Sequence, residues 1–149
     1  MKRRDVLAAG AGLAMLALVR PVAATPADMA AAVAAFTGGV APREGKVRFD
    51  IAQLIDNGNA VPVTVAVESA MTAADHVAAI AIFNEKNPQT DVAAFTLGPR
   101  AGKAEVSTRI RLATSQRLIA VARMNDGSCW SKSVDVIVTL AACIEGEAP

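Results

Sequence analysis

From Lys46 onward run after run of this chain places apolar residues at every second position, and that period dictates what the chain can fold into. Val47, Phe49 and Ile51 alternate with Arg48 and Asp50, and Val61, Val63, Val65 and Val67 alternate with Thr64 and Glu68. Val106, Ile110 and Leu112 share a face opposite Glu105, Arg109 and Arg111. A period of two sends successive side chains to opposite faces of a strand, so each run reads as a half-buried strand. Residues 77–83, 92–97, 117–124 and 129–140 supply four more. The runs are separated by the turn signals Asn57-Gly58, Asn87-Pro88, residues 98–102 and Asp126-Gly127. Seven short strands with no long helix between them predict an all-β fold over residues 46–140, an antiparallel sandwich of immunoglobulin type. Trp130 reads as ordinary core, because the paired cysteines that flank the tryptophan of an antibody domain are absent.

The segment before the strands divides in two. Residues 1–24 have a basic start, an uncharged apolar stretch from Val6 to Val19, and the small residues Ala23 and Ala24 before an expected cut. The apolar run is too short to span a hydrocarbon core of about 30 Å at roughly 1.5 Å per residue, which predicts a removable signal and no membrane insertion after cleavage. Arg3-Arg4-Asp5-Val6-Leu7 fits the twin-arginine pattern and predicts export to the periplasm in a folded or preassembled state. Residues 25–45 then form a short helix and linker. Thr25 can cap, Pro26 suits the first helical position, Asp28 favours the positive end of the dipole, and Gly38 can end the helix left-handed. Met29, Val33 and Phe36 form a stripe that can pack on the domain itself or on a second chain.

Charge and composition narrow the function. The chain has 15 Lys and Arg against 14 Asp and Glu; removing the four bases and one acid of residues 1–24 leaves 11 against 13, a formal charge of about −2. That balance gives no electrostatic basis for binding nucleic acid or an anionic membrane. Aromatics make up 3% of the residues and there is no tyrosine, which disfavours base or sugar stacking. A single histidine, His76, cannot complete a two-histidine metal site, so no metal or other cofactor is expected. No nucleophile elbow, CxxC, phosphate loop or dinucleotide fingerprint occurs, and a chain with its own catalytic centre is hard to build from these residues. Glu105, Arg109 and Arg111 read as a solvated sheet face.

Two cysteines remain. Cys129 opens the last predicted strand beside Trp130 and reads as a small apolar core residue. Cys143 lies past the other end of that strand, on the polar segment 141–149 with Glu145 and Glu147. Fourteen residues at about 3.3 Å each separate the two by more than about 40 Å, whereas a disulfide needs Cα atoms within roughly 7 Å. An exposed thiol in an exported protein reacts readily, which marks Cys143 as purposeful.

Residues 61–131, with "VPVTV", "GPRAGKAEVSTRIRLA" and "AVARMNDG", together with a cysteine after the last strand, resemble SoxY, the sulfur-carrier subunit of the bacterial thiosulfate-oxidising Sox system. The resemblance implies an immunoglobulin-like sandwich paired with a SoxZ-like subunit as a heterodimer. It also implies a carrier tail over residues 141–149, with sulfur intermediates attached covalently to Cys143. A sulfur-oxidising haem protein, a sulfate-releasing hydrolase and a sulfane dehydrogenase would act on that cargo, the chain itself being a carrier and not an enzyme. SoxY tails typically read Gly-Gly-Cys-Gly-Gly, whereas this chain has Ala141-Ala142-Cys143-Ile144-Glu145. Ile144 adds bulk and Glu145 adds a negative charge beside a thiol that must ionise. Two other readings stay open: a sandwich-type assembly module whose tail cysteine is incidental, and a single-thiol oxidoreductase.

Overall fold

The computed structural model describes residues 23–140, so all but the last two residues of the expected signal segment, and the tail carrying Cys143, lie outside the described residues. The helix α1 spans Pro26–Thr37, as the capping pattern predicts. Thr25 Oγ1 accepts from the Asp28 N–H at 3.2 Å while Asp28 Oδ2 accepts from the Thr25 N–H at 2.9 Å, a reciprocal capping box. Gly38, with φ of 66°, ends the helix in the left-handed region that costs glycine little.

Nine strands form two sheets. They are β1 (Arg43–Glu44), β2 (Val47–Asp50), β3 (Leu54–Ile55), β4 (Val61–Val67), β5 (Val77–Asn84), β6 (Asp91–Thr96), β7 (Glu105–Ile110), β8 (Gln116–Met124) and β9 (Cys129–Val138). One sheet has the order β1-β9-β8-β5-β6 with β3 also paired to β9; the other has the order β2-β4-β7. The seven predicted strands are present, and the two additions are β1 and β3. Each is two residues long, too short to show a period, and each runs parallel to β9. The remaining pairings are antiparallel.

The core lies between the sheets. Val61, Val63, Val65 and Val67 of β4 face Ile80, Ile82, Leu118, Ala120, Ala122 and Val136 across it, all buried. Burial of each large aliphatic side chain contributes about 1.5–3 kcal/mol. Almost every residue of β5 is buried because both its faces are covered. Its outer residues Ala81 and Phe83 take the helix stripe, with Val33 buried, Met29 packed alongside, and the rings of Phe36 and Phe83 edge to face at 5.8 Å. Arg123 Nη1 donates to the Phe36 carbonyl at 3.1 Å and fastens the helix C-terminus. The stripe therefore packs on its own domain.

Trp130 is half-buried rather than ordinary core. It packs against the core cluster while the Arg43 guanidinium stands 4.6 Å and the Lys46 ammonium 5.0 Å from its ring centroid. Its location near the start of β9, opposite the short β1, leaves one side to be covered by long basic side chains.

Candidate functional site at the root of the tail

The end of β9 is bound on both sides. Towards β3, the Ile137 N–H donates to the Gln53 carbonyl at 2.8 Å and the Thr139 N–H to the Ile55 carbonyl at 2.9 Å. Thr139 Oγ1 adds a bond to the Asp56 carbonyl at 3.1 Å. Towards β8, the Val138 N–H donates to Ser115 Oγ at 2.8 Å. Leu140, the last described residue, offers its carbonyl to the Gly58 N–H at 2.8 Å, and the Gly58 carbonyl accepts from Leu112 at 2.9 Å. The last described residues are thus held in a defined position. Cys143 is three residues further along and lies outside the described residues; three extended residues reach about 10 Å.

Two surfaces surround that point. Leu54, Ile137 and Leu140 are 62%, 61% and 58% exposed, and Leu54 is directly in register with Ile137. A cleft of about 690 Å³ opens beside them, lined by Phe49, Ile51, Ile55 and Pro62 with Asp50 and Asp56 among its polar groups. It shares Ile55 and Asp56 with the root of the tail. In the sequence the segment 53–58 read only as a turn containing Asn57-Gly58. Its role as the clamp depends on β3, which two residues could not announce.

A side-chain network joins the turn at residues 84–90 to the segment 111–116. Asn87 Nδ2 donates to the Arg111 carbonyl at 2.8 Å, and Asn87 Oδ1 accepts from the Ala113 N–H at 3.0 Å and from Gln116 Nε2 at 2.7 Å. Asn84, fully buried, accepts from the Asn87 N–H through Oδ1 and donates through Nδ2 to the carbonyls of Gln89 and Thr90. The buried side chains of Asn84 and Gln116 both have partners for their oxygen and nitrogen, which is what a low-dielectric site demands.

Cys129 is 1% exposed at the far end of β9, and its Sγ–H donates weakly to the Gly127 carbonyl at 3.7 Å. Burial pushes its thiol above the usual range, so it stays protonated and unreactive. His76 is half-buried in a loop, its Nδ1 3.0 Å from the Thr72 carbonyl and its N–H on Asn125 Oδ1. It joins no cluster of three metal-ligating side chains among the described residues. Glu105, Arg109 and Arg111 are exposed on the sheet face. No helix among the described residues is long and apolar enough to cross a membrane.

Comparison with known proteins places these features. The solved structure of the sulfur carrier protein SoxY from Chlorobium limicola f thiosulfatophilum is 30% identical. It matches with a TM-score of 0.66 over 78% of this chain and all of that one. The superoxide reductase (neelaredoxin) of Ignicoccus hospitalis matches at a TM-score of 0.57 and 14% identity, over 78% of this chain and 95% of that one. A putative superoxide reductase from Thermotoga maritima gives 0.57 and 19%, over 66% and 93%. At those identities the reductases share the sandwich alone. No curated protein sequence matches. The family model of the sulfur oxidation protein SoxY matches residues 33–143, from the buried Val33 of the helix stripe through both sheets to Cys143, and the chain belongs to the SoxY family.

Proposed function

We propose that this chain is a covalent sulfur carrier of periplasmic thiosulfate oxidation, with Cys143 as the attachment point. The observation that carries the reading is the reach of the family match, which extends through residue 143 itself. The geometry supports it: Leu140, the last described residue, is tied to Gly58, and the other cysteine, Cys129, is buried at the far end of the last strand with its thiol pushed up by burial. The twin-arginine pattern of residues 3–7 supports export. In this reading a SoxZ-like subunit pairs with the chain as a heterodimer. A sulfur-oxidising haem protein, a sulfate-releasing hydrolase and a sulfane dehydrogenase exchange cargo with the thiol. The exposed Leu54, Ile137 and Leu140 favour such a partnership over a solitary sandwich.

Intact mass of the chain purified from its native periplasm tests this. Mass increments of sulfur or sulfonate that map to Cys143 support the carrier. A bare or merely glutathionylated thiol in cells oxidising thiosulfate favours the assembly module. Native mass spectrometry of the co-expressed partners is expected to give a one-to-one heterodimer, and a stable monomer that ignores its neighbour would sink that part of the reading.

A further inference from the structure

The chain contains five asparagines, and one of them, Asn57, is followed by glycine. The backbone nitrogen of the next residue can attack an asparagine side chain, and a glycine there has no Cβ to hinder the approach. The other four are less open to this chemistry. Asn87 precedes Pro88, whose nitrogen carries no hydrogen to lose. Asn84 is fully buried, and Asn125 is held at both side-chain atoms, its Oδ1 by the His76 N–H and its Nδ2 on the Ala74 carbonyl. Asn59 precedes Ala60, which carries a Cβ.

Both reacting groups of Asn57 and Gly58 are held by hydrogen bonds. Asn57 is exposed, and its Oδ1 accepts from the Asn59 N–H and from Asn59 Nδ2, each at 2.9 Å. Gly58 is buried, and its N–H donates to the Leu140 carbonyl at 2.8 Å while its own carbonyl accepts from Leu112 at 2.9 Å. An amide nitrogen in that position must first give up its carbonyl partner before it can lose its proton and turn onto a neighbouring carbon.

We propose that Asn57 is a deamidation site guarded by the bond from Gly58 to Leu140, reacting when the end of β9 lifts off residues 55–58. Lifting breaks that bond together with those of Thr139 to the Ile55 and Asp56 carbonyls. The Gly58 nitrogen then bonds to Asn57 Cγ as a base in the solvent takes its proton. The bond from Cγ to Nδ2 breaks, and Nδ2 takes up a proton and leaves as ammonia. One water opens the resulting cyclic imide, at Cγ to give aspartate or at the Asn57 backbone carbonyl to give isoaspartate. No electrons are exchanged, and the sequence runs one way. The imide nitrogen has no hydrogen to offer Leu140, and isoaspartate lengthens the backbone between Asp56 and Gly58 by one methylene. Either product places a second carboxylate beside Asp56. A transient opening is thereby made permanent, in a step that needs no sulfur on Cys143 and stands or falls separately from the carrier reading.

The test incubates the mature full-length chain in mildly alkaline buffer and follows Asn57 by peptide mapping that separates asparagine, aspartate and isoaspartate. Wild type is expected to convert at least about tenfold more slowly when native than in denaturant, the protection that one hydrogen bond of ordinary strength can give. Thr139→Val removes the Oγ1 bonds to Ile55 and Asp56. In the native state it should speed conversion several-fold and raise the exchange rate of the Gly58 amide by the same factor, with no change in denaturant. Equal rates in native and denatured wild type overturn the proposal, as does a native Thr139→Val rate that stays at the wild-type value or departs from Gly58 exchange.

Discussion

The Gly58 N–H donates to the Leu140 carbonyl at 2.8 Å, and through that bond a turn at residues 57–58 holds the last of the described residues. The same glycine accepts from Leu112, which is completely buried, so the tail root is tied to the packed interior and not to a free loop.

Replacing Cys143 by Ser is expected to abolish sulfur loading and thiosulfate-dependent turnover in a reconstituted system while leaving the melting curve nearly unchanged. Cys129→Ser is expected to do the reverse, retaining loading but losing about 1–3 kcal/mol of stability by placing a hydroxyl in a buried site. Loading that persists in Cys143→Ser would refute the attachment site.

Ile144→Gly combined with Glu145→Gly removes the bulk and the negative charge beside the thiol. Loading by a Sox haem partner is expected to speed up, measured as the rate at which the mass adduct appears. An unchanged rate would show that these flanks do not limit the transfer.

Cys129 gives a pH dependence with a definite sign. Its folded pKa is raised by burial, so the fold favours the neutral thiol. The stabilisation is complete below the unfolded thiol pKa of about 8.5 and is lost as pH rises from there towards the folded value. Denaturant midpoints of wild type and Cys129→Ala are expected to differ in slope only above about pH 8. Parallel curves through pH 10 would remove Cys129 from the account.

Asn87→Ala strips partners from the Ala113 N–H, the Arg111 carbonyl and the side chain of Gln116, which is 4% exposed. Leaving such groups unsatisfied costs about 2–4 kcal/mol, and amide exchange is expected to accelerate over residues 111–116 before it does in β5. Uniform acceleration across the sheet would mean the turn does not open locally.

Gly45 has φ of 129° and an added Cβ would meet the Trp130 ring at 3.4 Å. Gly45→Ala is expected to lower stability by about 1–3 kcal/mol through backbone strain and displacement of the ring. The chain has one tryptophan, so its emission should shift to the red in the folded variant. An unshifted spectrum would place the strain elsewhere.

The valines of β4 show why so much of this fold was legible. Val61 to Val67 alternate in the sequence because one face meets the other sheet and the other meets solvent, and period and burial then coincide. The α1 caps were equally plain, since Thr25, Pro26, Asp28 and Gly38 each serve a local need. The two parallel strands were not legible. Arg43–Glu44 and Leu54–Ile55 are defined only by the edge of β9 that they cover. The basic residues over Trp130 escaped notice for the same reason: Arg43 and Lys46 meet the ring through a contact 84 or more positions apart in sequence. Cys143 stood out by its type and place in the chain, whereas the bond from Gly58 to Leu140 is a tertiary fact.

The burial of Cys129 has a consequence for how long a cargo survives. A sulfane or sulfonate group on a thiol is lost when a second thiolate attacks the sulfur, and the nearest such group is ordinarily one in the same chain. Here that competitor is 1% exposed and held protonated. Eleven residues from Leu140 back to Cys129, at about 3.3 Å each, put the two roughly 35 Å apart. In the proposed carrier, Cys129 is thus withdrawn as a competing thiol, and the lifetime of a cargo on Cys143 would be set by thiols that arrive from outside.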